Sequence, residues 1–331
     1  MWSKFTKDNL KLFTNYKYNL NDNNILLNYI KNERNNIINF INNKNISINI
    51  TKLSEYNNIY NYVDSFFVDK NNLLNDMKNL NYIYKIEWGE DNMIIINTNN
   101  EIKSNVYINI LIHMIEYLKY KSQDNKKITI YLILSTLEKE FPTLSKMMDV
   151  KNSNSGYNDS QENIIFIWRR EEFEKVLFHE LMHHFELDKR DDHVHNIINT
   201  NGKHLYFEAI TDFQGIIYHL IFLSIITHKK IKRLLEYELG FIRNQAQSLN
   251  NIWGLGEWFG KPTILIEQRN ASFSYYILKY LIFEYFLNNE INLSEKYSNI
   301  LNNVLGIKFN ILPYLKIESS RMTLLQLKEY I

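Results

Sequence analysis

The stretch 178–185 reads Phe-His-Glu-Leu-Met-His-His-Phe and contains the pattern His-Glu-x-x-His. In a helix, residues four apart lie about one turn apart on one face, so His179 and His183 can direct two imidazoles at one metal ion. Two neutral imidazoles on a rigid helix suit Zn²⁺. Glu180 lies roughly 100° around the helix from His179, where it can reach a water on the metal without being a ligand. The stretch therefore predicts a site for one zinc ion with Glu180 as general base.

The residues around this motif predict a buried helix over 171–187. Apolar side chains cover most of the helix circumference outside the stripe that carries the two histidines. They are Phe173, Val176, Leu177, Phe178, Leu181, Met182 and Phe185. A helix that is apolar on nearly every side is buried, and a buried pair of histidines needs polar partners.

The composition describes a globular protein. The chain has 331 residues, of which 45% are hydrophobic and 14% aromatic, so it can bury a large core as one elaborated domain or two. Its 38 basic and 37 acidic residues leave a net charge of +1. The chain therefore lacks the excess of basic residues that is typical of proteins that bind nucleic acid. Cysteine is absent, so His and carboxylate side chains must supply any metal ligands.

The sequence predicts neither a secretory signal nor a membrane span. The N-terminal residues lack an unbroken apolar segment, so we expect a cytoplasmic or intracellular location. The most apolar run, 215–227, contains a histidine and is shorter than the ~20 residues that cross a bilayer. It is interpreted as a core helix.

The order of apolar patterns predicts an α+β fold. Residues 1–75 are interpreted as a helical accessory region, and 76–331 as the catalytic domain, with subdomains 76–190 and 200–331. Strands are expected at 82–88 and 93–97, joined as a hairpin, and at 128–134 and 164–168. Helices are expected at 106–120 and 137–148, and a loop at 151–162. The C-terminal part is predicted to be mainly helical, with helices at 205–227, 229–245, 272–288 and 294–305. A glycine-rich loop at 254–260 is interpreted as a lid over the cleft.

A catalytic zinc site usually takes three protein ligands, so the two histidines need a third. The extended pattern with a further histidine six residues on is excluded, because Lys189 occupies that position and Glu186 occupies the position of its glycine. The charged loop after the motif helix offers His193 or His195. Either could fold back over the metal.

Glu208 is the preferred third ligand. It stands in the segment Tyr-Phe-Glu-Ala-Ile-Thr-Asp-Phe at 206–213, which begins a strongly apolar helix, and Asp212 lies one turn further on the same face. Two carboxylates on a buried stripe are costly unless they meet cations, and a metal ion with its histidines supplies them.

The two motifs together resemble the gluzincin metallopeptidases, and Glu-Ala-Ile-Thr-Asp at 208–212 is similar to the second motif of thermolysin-like members. The resemblance covers about residues 160–215. It implies a zincin-like fold, in which a small mixed sheet and the active-site helix precede a helical subdomain. It also implies zinc-dependent hydrolysis of a peptide or protein substrate, with His179, His183 and Glu208 as ligands. Asp212 would then accept the outer N–H of His179.

Gluzincins often supply a downstream tyrosine to the developing oxyanion, so the resemblance points to Tyr275 or Tyr276. Tyr206 and His219 are the other candidates, and His184 is interpreted as a core or rim histidine. Strand 164–168 is expected to be the edge strand on which an extended peptide lies.

A second resemblance is carried by Asn-Ser-Gly-Tyr at 154–157, the run 164–168 and the segment 170–176. These residues resemble uncharacterised gluzincin-like proteins of large DNA viruses, which implies a viral source and a location in the host cell or the virion. The alternative to a peptidase is a catalytically inactive zinc-binding component, structural or interacting with other proteins, that retains the zincin fold.

Overall fold

The computed structural model describes residues 2–55, 63, 70–140, 150–188, 206–254, 270–290, 297–305, 315, 317 and 319–328. Several predictions fall wholly or partly outside these residues. They concern the loop histidines His193 and His195, the lid 254–260 beyond Gly254, residues 141–148 of the helix predicted at 137–148, and the first residues of the helices predicted at 205–227 and 294–305. Residues 137–140, which are described, are not helical.

The protein has a mixed α/β fold with one described sheet. The helices are α1 (Lys4–Leu12), α2 (Ile25–Asn43), α3 (Lys70–Met77), α4 (Asn105–Ser122), α5 (Val150–Ser153), α6 (Phe173–His184), α7 (Phe207–Thr227), α8 (Ile231–Trp253), α9 (Lys279–Asn288) and α10 (Tyr297–Leu305). The strands are β1 (Ile48–Leu53), β2 (Tyr82–Trp88), β3 (Asn92–Thr98), β4 (Thr129–Ile133), β5 (Gly156–Asp159) and β6 (Ile164–Ile167). A 3₁₀ turn, Phe13–Asn15, follows α1, and a π-helical turn, Ser274–Leu278, leads into α9.

The strands form a six-stranded mixed sheet in the order β1-β2-β3-β4-β6-β5. The predicted hairpin is confirmed, because β2 and β3 pair antiparallel with Ile86 opposite Ile94. Its turn includes Gly89 at φ 57°, a left-handed conformation that glycine adopts without steric cost. β3, β4 and β6 are parallel, and the connections between them carry α4 and α5.

The prediction that strand 164–168 forms the sheet edge is wrong. β6 lies between β4 and β5, and β5 is the outermost of the described strands on this side. All four residues of β6 are buried, which is typical of an interior strand covered on both faces. The predicted loop 151–162 is also wrong in part, because it contains α5 and β5. The polar residues of β5 obscured a strand that pairs with β6 along one side.

The N-terminal region is not wholly helical, contrary to the prediction. β1 lies within residues 1–75 and pairs antiparallel with β2, with Ile50 opposite Ile86. Buried side chains of α2, including Leu27 and Ile30, belong to the same hydrophobic cluster as those of α6 and α7. Alternating polar and apolar residues in a short Asn-rich run were too weak a signal to reveal β1. The division of the chain near residue 75 stays a prediction.

The sheet is covered on both faces because successive side chains of a strand point in opposite directions. One face contributes to the main core with the helices α4, α6, α7, α8 and α9; its residues include Ile94, Ile96, Ile130, Leu132, Ile165 and Ile167. The other face packs against α3 through a smaller cluster that includes Ile95, Tyr131, Phe166 and Leu73. The helix α6 lies against β5 and β6, which fixes its place beside the sheet.

The helix α7 passes through the main core. By length and composition it could cross a membrane, but 89% of its most apolar window is buried inside the protein. That burial is characteristic of a core helix. The helix predicted at 229–245 corresponds to α8, which continues to Trp253, and the one predicted at 294–305 begins at Tyr297 among the described residues.

Glu174 provides a test of the core around α6. Its side chain is buried and accepts a hydrogen bond of 3.1 Å from the Tyr107 hydroxyl of α4. Burial raises the pKa of Glu174 from 4.5 to about 7. The folded protein therefore retains a proton that the unfolded chain releases above pH 4.5, and stability falls as the pH rises through this interval.

We expect Glu174→Gln to remove this loss, which amounts to about 2 kcal/mol between pH 5 and pH 8. Urea unfolding at the two pH values measures it, with the exposed Glu101→Gln as control. An unchanged difference between pH 5 and pH 8 in Glu174→Gln would contradict the assignment.

Candidate metal centre

Three side chains from α6 and α7 converge on one point. His179 Nε2 lies 3.1 Å and His183 Nε2 lies 3.4 Å from the same atom, Glu208 Oε2. The three residues are buried, and one potential ligand atom from each lies within 4.8 Å of the others. This is a group that could hold a metal ion. The loop histidines considered as alternatives lie outside the described residues.

The helices explain why these atoms meet. His179 and His183 are one turn apart on α6, and their rings lie edge to face with centroids 4.8 Å apart. Glu208 is in the first turn of α7, where the helix dipole favours a negative charge. Gly215 on α7 lets the helices approach closely, since a Cβ there would lie 3.1 Å from the backbone N and Cα of His179.

Asp212 stands behind His179, as the resemblance implied. Its Oδ1 is 3.2 Å from His179 Nδ1, although the angle is not that of a hydrogen bond. The carboxylate also forms ion pairs with Lys175, through Oδ1, and with Lys279, whose Nζ is 2.8 Å from Oδ2. All three side chains are at least 98% buried.

Asp188 lies beside Nδ1 of His183, as Asp212 does beside Nδ1 of His179, and was not predicted from the sequence. Its Oδ2 contacts His183 Nδ1 and accepts a hydrogen bond of 3.1 Å from the Thr211 hydroxyl. Asp188 follows the motif helix by a few residues, and a carboxylate just beyond the second histidine was the available signal. Both histidines thus have a carboxylate on the Nδ1 side, which leaves each Nε2 directed at the centre.

The positions of Lys175 and Lys279 beside Asp212 were also not predicted from the sequence. Lys175 is one turn before His179 on the same face of α6, so a lysine on the ligand stripe of a buried helix was the signal in the sequence. Lys279 begins α9, and nothing near it in the sequence indicates its position.

The electrostatics of the cluster favour a cation at its centre. Burial lowers the pKa of His179 to about 4, so this imidazole is neutral at pH 7. Burial also opposes protonation of His183, but the Glu208 and Asp188 carboxylates outweigh it and raise the pKa of His183. The pKa of Glu208 is lowered, because its contacts with both histidines outweigh the burial that opposes ionisation. The cluster thus holds a positive charge between carboxylates.

Glu180 is adjacent to the three converging residues without being one of them. It is buried on α6, and burial raises its pKa to about 7, with the charge of His183 acting in the opposite direction. A divalent cation in the cluster would act in the same direction as His183 and lower that pKa.

Tyr275 lies at the cluster, whereas the Tyr276 hydroxyl is directed at the C-terminal part of the chain. The Tyr275 hydroxyl donates a hydrogen bond of 3.2 Å to Glu208 Oε2, and its ring meets His179 edge to face. The Tyr276 hydroxyl donates to the Ser320 carbonyl at 2.6 Å. Both tyrosines belong to the π-helical turn Ser274–Leu278, and such turns recur at functional sites.

The remaining candidates are Tyr206, His219 and His184. Tyr206 is buried immediately before α7. His219 is buried further along α7, and neither ring nitrogen has a hydrogen-bond partner within the described part of the chain. His184 Nδ1 is 3.1 Å from Asn158 Oδ1, so this histidine links α6 to the outer strand β5, in keeping with its interpretation as a core residue.

Comparisons with known proteins add no family to this description. No protein-family model matches the chain, and no curated protein and no solved structure gives a significant match. The fold and the site define a mixed α/β protein with a buried His-His-Glu group that could hold a metal ion. The gluzincin assignment stays a prediction.

Gly215→Ala tests the approach of α7 to His179. The added Cβ would force the helices apart by a few tenths of an ångström at the first histidine. We expect Zn²⁺ affinity, measured by competition with a chelating dye, to fall about tenfold.

The matched control is Gly240→Ala on α8, where the Cβ would lie 2.8 Å from the Tyr16 carbonyl oxygen. This variant should lose stability and keep its Zn²⁺ affinity. Equal affinities in the two variants would show that the close approach does not shape the cluster.

Proposed function

We propose that the protein is a zinc-dependent peptidase. The observation that carries the proposal is the convergence of His179 Nε2, His183 Nε2 and Glu208 Oε2 on one buried point. Glu180, with the position expected of a general base, stands next to it on α6. The resemblance of the two motifs to gluzincins supplies the reaction type.

The donor set fits a zinc ion. Two imidazole nitrogens and one carboxylate oxygen form a common set of three protein ligands at catalytic zinc sites. Asp212 and Asp188 face the Nδ1 atoms, which favours the tautomer with a free lone pair on Nε2. When bound, zinc would supply an activated water at neutral pH and polarise the carbonyl of the substrate.

The side chains of this protein supply the remaining chemistry. Glu180 would take the proton of the attacking water and pass it to the leaving amine, which requires a carboxylate close to the ligands but not among them. The Tyr275 hydroxyl, now donating to Glu208, would donate a hydrogen bond to the oxyanion as it develops. The buried surroundings strengthen both interactions, because few water dipoles screen them.

The outer strand β5 supports a peptide as the substrate. It lies against α6, since a Cβ on Gly156 would be 2.8 Å from Val176 Cγ1. No other described strand pairs with the side of β5 that faces away from β6. An extended peptide could add to this side through main-chain hydrogen bonds. The strand for this role is therefore β5 and not β6.

Glu180→Gln separates metal binding from catalysis. The amide keeps the shape of the side chain but cannot accept the proton, so we expect bound zinc to stay at one ion per chain. Peptide cleavage should fall by a factor on the order of 10² to 10⁴. Metal analysis and mass spectrometry of a digested peptide library measure the two quantities.

Glu186→Gln is the control, because Glu186 lies just beyond α6 and its side chain is 78% exposed beside Lys126. It should cleave as the unaltered protein does. Full activity in Glu180→Gln would disprove its role as the base. Zinc binding without cleavage by the unaltered protein would favour the non-catalytic alternative.

A further inference from the structure

Residues 319–328, here termed the C-terminal segment, are irregular and yet mostly buried. Residues 320–327 are all buried, and Leu327 pairs with Trp2 in an isolated β-bridge. Buried backbone without regular secondary structure needs other hydrogen-bond partners, since an unpaired N–H or C=O in the core is costly. The partners of this segment lead towards the metal centre.

Two buried carboxylates accept four consecutive backbone N–H groups of the segment. Glu172, just before α6, accepts from Met322 and from Thr323, the latter at 2.6 Å. Glu238 on α8 accepts from residues 324 and 325 at distances of 3.1 to 3.3 Å. Both carboxylates are fully buried. The segment is therefore held by one side chain just before α6 and one on α8, both in the core.

The same residues balance the charges behind His179. Burial lowers the pKa of Lys279 to about 7, and the carboxylates Glu238 and Glu172 act in the opposite direction. Lys279 Nζ donates to the Met322 carbonyl at 3.2 Å and lies 2.8 Å from Asp212 Oδ2. Lys175 Nζ contacts Asp212 Oδ1 and lies 3.5 Å from Met322 Sδ. Both lysines thus touch the C-terminal segment on one side and Asp212 on the other.

We propose that Lys175 and Lys279 are positioning residues that couple metal binding at His179 to docking of the C-terminal segment. The two Nζ atoms contact both carboxylate oxygens of Asp212 and so oppose its rotation. Asp212 in turn faces the outer nitrogen of His179. If the segment leaves its place, Lys279 loses the Met322 carbonyl and the carboxylates Glu172 and Glu238 lose their backbone donors. The inference rests on the proposed zinc site.

Such coupling is reciprocal. If docking of the segment strengthens zinc binding by some factor, zinc must stabilise the docked segment by the same factor. Local opening of the segment exposes the backbone N–H groups of residues 322–325 to exchange with solvent. Zinc should therefore slow that exchange, although none of these groups touches the metal ligands.

Hydrogen–deuterium exchange of the full chain tests this without any substitution. We expect saturating Zn²⁺ to slow the exchange of residues 322–325 about tenfold, the lower limit of typical outer-shell effects on metal affinity. The amides of β2 and β3, which are separated from β5 by β4 and β6 in the sheet, are the internal reference and should change less. Equal changes in both regions would indicate a general stabilisation and overturn the proposal.

Lys279→Met tests the link itself. Methionine fills a similar volume but engages neither Asp212 nor the Met322 carbonyl, so Zn²⁺ affinity should fall about tenfold. The dependence of exchange at residues 322–325 on zinc should also be lost. The control is Lys121→Met, which breaks a partly buried ion pair with Glu33 away from Asp212 and should leave both quantities unchanged.

The outcomes separate this proposal from the one on which it rests. If the unaltered protein binds no zinc, the proposed function and the coupling both fail. If it binds zinc while exchange at residues 322–325 stays constant, or if Lys279→Met binds zinc with unaltered affinity, only the coupling fails. Should Lys279→Met not fold, the exchange of the unaltered protein decides the matter.

Discussion

The structure of the site depends on the convergence of buried carboxylates on two imidazoles. Glu208, Asp188 and Asp212 all contact the histidines of α6, and all three are buried. Carboxylates removed from water in this way repel one another and are tolerated only beside positive charge. The protonated form of His183 supplies such charge, and a metal ion could add to it. Lys175 on α6 and Lys279 on α9 contact Asp212 on α7, so the site joins these three helices.

The sequence was informative where the chemistry is local. His179, Glu180 and His183 share one helix, so their geometry follows from its period alone. Glu208 and Asp212 are likewise one turn apart in an apolar helix, and two acids there pointed to a nearby cation. Of the neighbours Tyr275 and Tyr276, the structure brings Tyr275 to the cluster, and Tyr276 faces away because adjacent residues of a helix point in different directions.

The features that escaped prediction arise from contacts distant in the chain. β5 has few apolar residues and forms by pairing with β6. β1 likewise forms by pairing with β2. Lys279 is distant from Asp212 in the sequence, although its Nζ lies 2.8 Å from Asp212 Oδ2. The C-terminal segment has no periodic pattern, since side-chain carboxylates rather than a helix or sheet hold its backbone. Patterns of residue type cannot indicate such pairings.

The π-helical turn before α9 has a consequence for how the chain could vary. A π-helical turn contains one residue more than the α-helical turn it replaces. The side chains after the turn are therefore rotated about the helix axis by roughly 100° relative to those before it. Tyr275 lies within the turn and Lys279 directly after it, and they reach opposite sides of the His179 region. Deleting a single residue within 274–278 would restore a regular α-helix and put one of these two side chains out of phase. The turn therefore makes this stretch of the chain sensitive to length as well as to residue type.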